Sequence, residues 1–447
     1  MKTHFTFTSM LLLMIFTTVT LTFASNPSFR IPYADNQLRN LPDPTSTPRI
    51  NRAEYTAWPA NHGNAHVTLW NDDKIAALSL CIDDNHEEEH SIWLDFQKKH
   101  GIGFTWFVMT DRAGKPVKWN SFQNVLNQGN DVQSHSVHHL DLKLESSRYP
   151  GIFDDEYRPS VTSINTNLIG GKCLSIGYAY GFGDWPTARK YFICARGATG
   201  LIDKADNINY MNTMSGAYND TMRVEALIDP NFKVNNKSYV GDFLVGTYHN
   251  VINLVPETDK FLAYISKRKD KIWVDWFTRV CQYGQERDSH TLTVTSVSNS
   301  KISFNLTDLM VDSLFDYPLT VKIRVNNDWT SATATQAGNP VVSKMLTYNG
   351  NQFVLVNAIP DRGLVEVSGE SQNTALFDNE NRSIQFIKQK DKLLVIGVPI
   401  GEIISVFNLK GEKLYSIKTN SNEPVLSLQK NQISIIHVNK RSFKIKM

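Results

Sequence analysis

Residues 74–85 read KIAALSLCIDDN, an apolar run that ends abruptly in two adjacent aspartates, Asp83 and Asp84. The apolar run is typical of a buried strand. Two like charges at the end of such a strand repel each other and are costly to remove from water. We therefore expect something cationic to bind beside Asp83 and Asp84.

Apolar segments alternate with amphipathic ones from residue 61 to residue 289. KIAALSLCI is followed by EEEHSIWLDFQKKHG, whose acidic start suits a helix N-terminus, and GFTWFVMT is followed by KWNSFQNVLNQG. Further strand-like segments are DVQSHS, CLSIGYAYG, FICARG and DFLVGTYHNV. This alternation predicts an α/β fold with a parallel sheet, and the number of units favours a (β/α) barrel. In such folds the reactive groups lie at the carboxyl ends of the strands, where Asp83 and Asp84 fall.

The segments outside this barrel differ from it in composition. Residues 1–25 combine Lys2 with an apolar stretch and small residues near the end, which predicts a signal peptide and an exported chain, whether periplasmic, secreted or on the cell surface. Residues 26–60 contain six prolines, so we expect an extended N-terminal arm. Short alternating strands such as HTLTVTSV and NQFVLVNA predict a β-sandwich over residues 290–368. We expect residues 369–447 to form a further β-rich domain.

Composition narrows the classes of partner. The 447 residues carry 46 Lys and Arg against 44 Asp and Glu, a formal net charge of +2. This balance gives no reason to expect nucleic acid or an anionic membrane as a partner, and we expect no membrane-spanning segment in the mature chain. The four cysteines have no metal-type spacing. We expect mostly buried thiols, with Cys173 and Cys194 the only pair to check for a disulfide.

A histidine cluster follows in SHSVHHL, with His135, His138 and His139. On a helical turn the spacing of four places His135 and His139 on one face, and neutral imidazole is a common zinc ligand. Alone, the pattern also fits a surface turn or hydrogen-bonded core histidines. With one aspartate from the same barrel edge it makes three ligands with open positions for water, the composition of a catalytic zinc site. The other aspartate could then take a proton from the water.

These motifs together resemble the polysaccharide deacetylases of carbohydrate esterase family 4. CIDDN resembles the family's Thr-Phe-Asp-Asp-Gly motif, and HSVHH matches its His-Ser/Thr-x-x-His motif. YAYG, at residues 178–181, resembles the segment whose tyrosine amide helps hold the oxyanion. LVGTYHN resembles the late strand that ends in a catalytic histidine. The resemblance covers roughly residues 67–288 and implies a distorted (β/α) barrel.

The resemblance implies a role for each matching residue. The implied metal ligands are Asp84, His135 and His139. Asp83 would be the general base, His249 the general acid, and the Tyr180 backbone N–H a donor to the oxyanion. Zinc is the expected metal, and the same ligands also accept cobalt, nickel or manganese.

One residue of the family pattern is missing. The arginine that usually precedes the tyrosine segment and holds the base is replaced by Gly177. We expect Arg196, at the next strand end, to supply the guanidinium that keeps Asp83 ionised and oriented. The alternative is a surface arginine. Asn85 stands where the family has glycine, and asparagine tolerates the same turn.

The C-terminal segment carries a second resemblance. GEIISVFNLKGEKLYSIKTN and ISIIHVNKRSFKIKM resemble the C-terminal sorting domains of the type IX secretion system, although the usual Gly-x-Tyr before the last strand is absent. An accessory β-sandwich without a sorting role is the alternative.

The predicted function is metal-dependent hydrolysis of N- or O-acetyl groups on a polysaccharide, with secretion machinery as a further expected partner. The alternative is a non-catalytic carbohydrate-binding surface protein built on a decayed deacetylase barrel. The sequence does not identify the polysaccharide.

Overall fold

The computed structural model describes residues 50–446, except 113–115, 201, 217, 372–383, 390–391, 422, 429–431 and 439–440. The predicted signal peptide and residues 26–49 of the predicted arm lie outside the described residues. The described chain divides into two compact units. The first extends to residue 369 without residues 328–330, and the second comprises residues 328–330 and 370 onward.

Helix ends in the first unit coincide with residues that satisfy free backbone groups. Asn51, Asp141, Asp184 and Asp220 each accept a backbone N–H at a helix start, and Gly101 ends a helix at φ 63°. The N-terminal arm predicted over residues 26–60 is not extended throughout, because Arg52–Thr56 form a short helix that Asn51 caps. The α-helices are α1 (Arg52–Thr56), α2 (His90–His100), α3 (Trp119–Asn127), α4 (Leu142–Glu145), α5 (Ile152–Asn167), α6 (Trp185–Ala188), α7 (Thr221–Ala226), α8 (Val255–Ser266) and α9 (Phe277–Ser289).

A seven-stranded parallel sheet carries the candidate site. Its path is β6-β5-β4-β3-β2-β7, with β8 also paired to β2. All seven residues of β2 are buried, as expected for a parallel strand covered on both faces. The strands are β2 (Ala76–Ile82), β3 (Thr105–Val108), β4 (Asp131–Ser134), β5 (Ser175–Gly177), β6 (Cys194–Arg196), β7 (Phe243–Tyr248) and β8 (Ile272–Val274).

The sheet is a curled half-barrel, and an irregular segment bridges its two ends. Asp203 and Phe243 exchange two backbone hydrogen bonds of 2.9 Å beside β7, and Thr213 N–H donates to Ala195 O of β6 at 3.0 Å. Residues 203–213 thus pair with both β6 and β7 without forming a full strand. The predicted α/β fold with a parallel sheet is confirmed, and the sheet has the form of a half-barrel.

Two antiparallel sheets follow α9. One has the order β1-β11-β15-β14, and the other has the order β13-β12-β16-β10-β9. Strand β1 precedes the barrel in sequence yet pairs with β11, Ala65 lying opposite Ile323, so the predicted barrel start at residue 61 is too early. The strands are β1 (Ala65–Val67), β9 (Thr291–Val297), β10 (Lys301–Thr307), β11 (Leu319–Arg324), β12 (Trp329–Gln336), β13 (Asn339–Val341), β14 (Ser343–Tyr348), β15 (Asn351–Ala358) and β16 (Val365–Ser371).

The second unit contains two small antiparallel sheets, β17-β18-β21 and β20-β19-β22-β23. Its core is aliphatic, with Leu393, Val395, Ile404, Val406 and Ile436 all fully buried. The basic C-terminal segment is the edge strand β23. The strands are β17 (Gln385–Gln389), β18 (Lys392–Ile396), β19 (Ile403–Phe407), β20 (Lys413–Lys418), β21 (Val425–Ser427), β22 (Ile433–Val438) and β23 (Arg441–Lys446).

Two further observations concern the cysteines and the helices. All four cysteines are buried and free, so Cys173 and Cys194 do not form a disulfide. Among the described residues, no helix combines the length and the apolar character needed to cross a bilayer.

Candidate active site

The turn after β2 places the two aspartates in different surroundings. Asp83 is buried, whereas the Asp84 side chain is partly exposed. Asp84 and Asn85 both have positive φ, at 68° and 38°. The Asn85 amide donates to Met109 O at 2.8 Å and accepts from Met109 N–H at 2.9 Å. Asn85 therefore tolerates the turn, as predicted, and also ties it to the end of β3.

His135 and His139 lie in a loop after β4, so the predicted helical turn is wrong. Ser136 and His139 have φ of 66° and 57°, outside the helical region. The N–H groups of Val137 and His138 donate to the carboxylate of Glu156 on α5 instead of to carbonyls of a helical turn. The spacing of four still brings the two imidazoles together, with ring centroids 4.6 Å apart.

Three side chains have the geometry of a metal site. Asp84 Oδ1 lies 3.6 Å from His135 Nε2 and 3.5 Å from His139 Nε2, and the three ligand atoms all lie within 4.8 Å of one another. His135 Nδ1 donates to Gly177 O at 2.7 Å, which leaves the Nε2 lone pair directed at the site. Burial lowers the pKa of His135 to about 4, which favours the neutral form that binds metals.

Unsatisfied atoms at this site test whether a cation fits. His135 Nε2 and Asp84 Oδ1 are buried and have no hydrogen-bond partner among the described residues. Both are electron-pair donors, and burying them without a partner costs free energy. A divalent cation would satisfy both, so the residues present fit the metal that the deacetylase resemblance implies.

Asp83 is held by a buried guanidinium. Arg196 Nη2 donates to Asp83 Oδ2 at 2.6 Å, and both side chains are 2% exposed. Arg196 Nη1 also donates to Gly197 O at 3.1 Å and to Ser215 Oγ at 3.2 Å, which fixes the guanidinium. The surface position considered for Arg196 is therefore wrong, and the expected contact with Asp83 is present.

Gly177 makes room for this arginine. Gly177 and Arg196 lie opposite each other in the β5–β6 pair. A Cβ atom at residue 177 would lie 2.6 Å from Arg196 Nη2 and 3.0 Å from the Phe107 ring. A side chain at residue 177 and the present position of Arg196 are therefore mutually exclusive.

A cavity of about 460 Å³ brings all seven predicted site residues together. His249 lies on its rim, with its side chain 61% exposed and Nε2 3.8 Å from Asp83 Oδ2. Tyr180 has φ 54°, and its exposed ring packs 4.8 Å from the ring of His139. The predicted residues lining the cavity are Asp83, Asp84, His135, His139, Tyr180, Arg196 and His249.

A protein-family model matches part of the chain. Residues 70–190 match the model described as polysaccharide deacetylase. The match supports a polysaccharide deacetylase domain. The matched segment contains five of the seven residues and stops before Arg196 and His249.

Individual proteins are similar over different parts of the chain. A gellan lyase from a Bacillus species is 39% identical over 360 residues, which covers 74% of this chain, and the chain spans 14% of that protein's length. A putative polysaccharide deacetylase from Mycobacterium smegmatis is 12% identical, covering 51% of this chain and 94% of that one, with a TM-score of 0.36. A peptidoglycan N-acetylglucosamine deacetylase is 19% identical, covering 46% and 88%, with a TM-score of 0.31.

Sequence reasoning missed several residues that line the cavity. Thr247 could have been found, because residues two apart on a strand face the same side and His249 follows β7 directly. Ser215 and Tyr218 lie near the irregular bridging segment, where no periodic pattern marks them. Further lining residues are Tyr178, Gly181, Ala198 and Gly216.

Proposed function

We propose that this chain is a metal-dependent hydrolase that removes N- or O-acetyl groups from a polysaccharide. The observation that carries the proposal is the buried pairing of Arg196 with Asp83 beside the ligand atoms of Asp84, His135 and His139. Removing water from an ion pair is costly, and a carbohydrate-binding surface would gain nothing from one at the bottom of its cavity. The pairing therefore favours catalysis over the decayed-barrel alternative.

Asp83 is suited to act as the general base. Oδ2 is bound by Arg196, while Oδ1 is buried and has no hydrogen-bond partner in the described structure. Oδ1 is thus the atom that would take the proton from the attacking water. Arg196 holds the carboxylate in place and stabilises its negative charge.

The other residues act on the acetyl group. A divalent cation held by Asp84, His135 and His139 would acidify water and polarise the acetyl carbonyl. The Tyr180 N–H would donate to the developing oxyanion. His249, on the solvent-exposed rim, would give a proton to the leaving amine or alkoxide.

A lyase reaction is the second candidate function, because the relative at 39% identity is named gellan lyase. This chain spans 14% of that relative's length, so the name does not assign the activity to the matched part. Arg196 is also committed to Asp83 and is not free to neutralise a sugar carboxylate. Gellan nevertheless belongs in the panel of substrates to be tested.

The test is acetate release from acetylated chitin-like, peptidoglycan-like, xylan and gellan polysaccharides. We expect release by the wild type that is abolished by a chelator, restored most strongly by zinc among zinc, cobalt, nickel and manganese, and lost in Asp83→Asn with zinc still bound. Asp95→Asn, an exposed aspartate on α2, is the matched control. Absence of acetate from every substrate would overturn the proposal. Unsaturated products detected by ultraviolet absorbance would favour the lyase.

We also propose roles for the remaining parts of the chain. The sheets after residue 290 would be two β-sandwich accessory domains, over residues 290–368 and 369–447, and the chain would be exported through a cleaved signal peptide. The basic edge strand β23 supports the proposal of a sorting domain. Retention of a fused reporter inside the cell after deletion of residues 369–447 would support it, and unchanged export would contradict it.

A further inference from the structure

Glu156, on α5, holds the loop that carries the predicted histidine ligands. Its side chain is almost fully buried. Oε2 accepts N–H groups from Val137 at 3.1 Å and from His138 at 2.8 Å, and Oε1 lies 2.6 Å from His138 Nδ1. These contacts fix the middle of the loop between His135 and His139.

Glu89 holds the loop after β7 in the same manner. It is also almost fully buried, at the position just before α2. Oε2 accepts the N–H of Val251 at 2.7 Å, and Oε1 accepts the N–H of Ile252 at 3.2 Å. These two residues follow His249 closely, so the carboxylate fixes the backbone that carries the predicted general acid.

Both contacts have the same physical basis. A carboxylate that accepts two consecutive backbone N–H groups forms charge-assisted bonds, which are shorter and stronger than bonds between neutral groups. Such a pair of bonds restricts both the position and the direction of the peptide plane. Burial makes the arrangement demanding, because a displaced loop would leave a buried carboxylate without its donors.

We propose that Glu89 and Glu156 are separate positioning residues, Glu156 for the metal-binding loop and Glu89 for the loop of His249. Glu156 acts on how well the metal is held, and Glu89 acts on proton delivery to the leaving group. The kinetic part of this inference rests on the proposed deacetylase function. The two glutamates contact different loops, so their effects should be separable.

The experiment compares Glu89→Gln and Glu156→Gln in the full chain, with the exposed neighbours Glu88→Gln and Asp155→Asn as matched controls. Glu156→Gln should weaken zinc binding by about 10- to 100-fold, as losses of outer partners of metal ligands do. Glu89→Gln should leave zinc binding unchanged. It should lower kcat on the order of 10- to 100-fold at unchanged KM, because the acid is misplaced.

Amide hydrogen exchange tests the contacts directly. Glu89→Gln should speed exchange of the peptide containing Val251 and Ile252 and leave the peptide 135–139 unchanged, and Glu156→Gln should do the reverse. Equal changes in both peptides would indicate general destabilisation and overturn the inference. If either variant fails to fold, the wild type decides, because fast exchange at the Val137, His138, Val251 and Ile252 amides would also overturn it.

A double variant tests whether Glu89 acts through His249. In a His249→Ala background, Glu89→Gln should cause no further loss of kcat. A full additional loss would show that Glu89 acts in another way and would overturn its assignment. Zinc binding and amide exchange require no turnover. Wild-type protein that releases no acetate would therefore overturn the proposed function while these two measurements still decide the positioning roles.

Discussion

Moving the guanidinium from β6 to β5 tests how Asp83 is held. Arg196→Gly removes the partner of a buried carboxylate, and Gly177→Arg introduces a side chain whose Cβ would lie 2.6 Å from Arg196 Nη2. Each single substitution should therefore impair the proposed acetate release. The double variant Gly177→Arg/Arg196→Gly removes the clash and places an arginine at residue 177, on the neighbouring strand.

The magnitudes follow from burial and distance. Asp83 and Arg196 are each 2% exposed and lie 2.6 Å apart, so removing one partner should destabilise the fold by about 3–5 kcal/mol. If Asp83 is the general base proposed above, its displacement forfeits at most the contribution of that base, so kcat should fall in Arg196→Gly by up to about 10²- to 10⁴-fold. The double variant should recover most of both losses.

Acetate release and urea unfolding measure the two effects. Arg148→Gly, which removes an exposed arginine paired with Glu145, is the matched control and should change neither. Arg196→Gly with wild-type kcat would refute the role of the guanidinium. A double variant no better than the worse single variant would refute the argument that residues 177 and 196 exchange one function.

Three further predictions concern the metal, the first turn and pH. Asp84→Asn and His139→Ala should each reduce both zinc binding and acetate release, whereas Asp95→Asn should change neither. Unchanged zinc content of the first two variants by elemental analysis would contradict the ligand assignment. Asn85→Leu removes both hydrogen bonds to Met109 and should lower unfolding stability by about 1–3 kcal/mol, and Asn85→Gly by less because glycine accepts positive φ. Burial lowers the pKa of His90 to about 4, so the unfolded chain binds more protons than the folded chain between pH 6.5 and 4. The free energy of unfolding should therefore fall as pH falls through this window, by up to about 3 kcal/mol. In urea unfolding, His90→Gln should remove this part of the pH dependence, and the substitution of the exposed His437, His437→Gln, should not. An identical pH profile for His90→Gln and the wild type would contradict the prediction.

Short-range patterns identified some features of the site and misassigned others. The apolar run before Asp83 predicted a buried strand, since hydrophobic burial depends on composition and period. The spacing of His135 and His139 correctly paired them but suggested a helix, because the carboxylate that captures the loop amides belongs to Glu156, which follows seventeen residues after His139. Glu89 lies at the helix start as predicted, but its contacts with Val251 and Ile252 were not predicted because these partners are distant in sequence.

Local period and side-chain chemistry were enough to predict the alternating α/β pattern, the β-rich regions after it and the carboxylate and imidazole groups of the site. Three features could be read only from the folded chain: residues 203–213 bridge the sheet, β1 joins a sheet beyond the barrel, and Arg196 rather than residue 177 holds Asp83. Those outcomes depend on pairing and space between segments far apart in the chain. The lack of a side chain at Gly177 is explained only by the folded structure, in which the guanidinium of Arg196 on β6 occupies the space beside it.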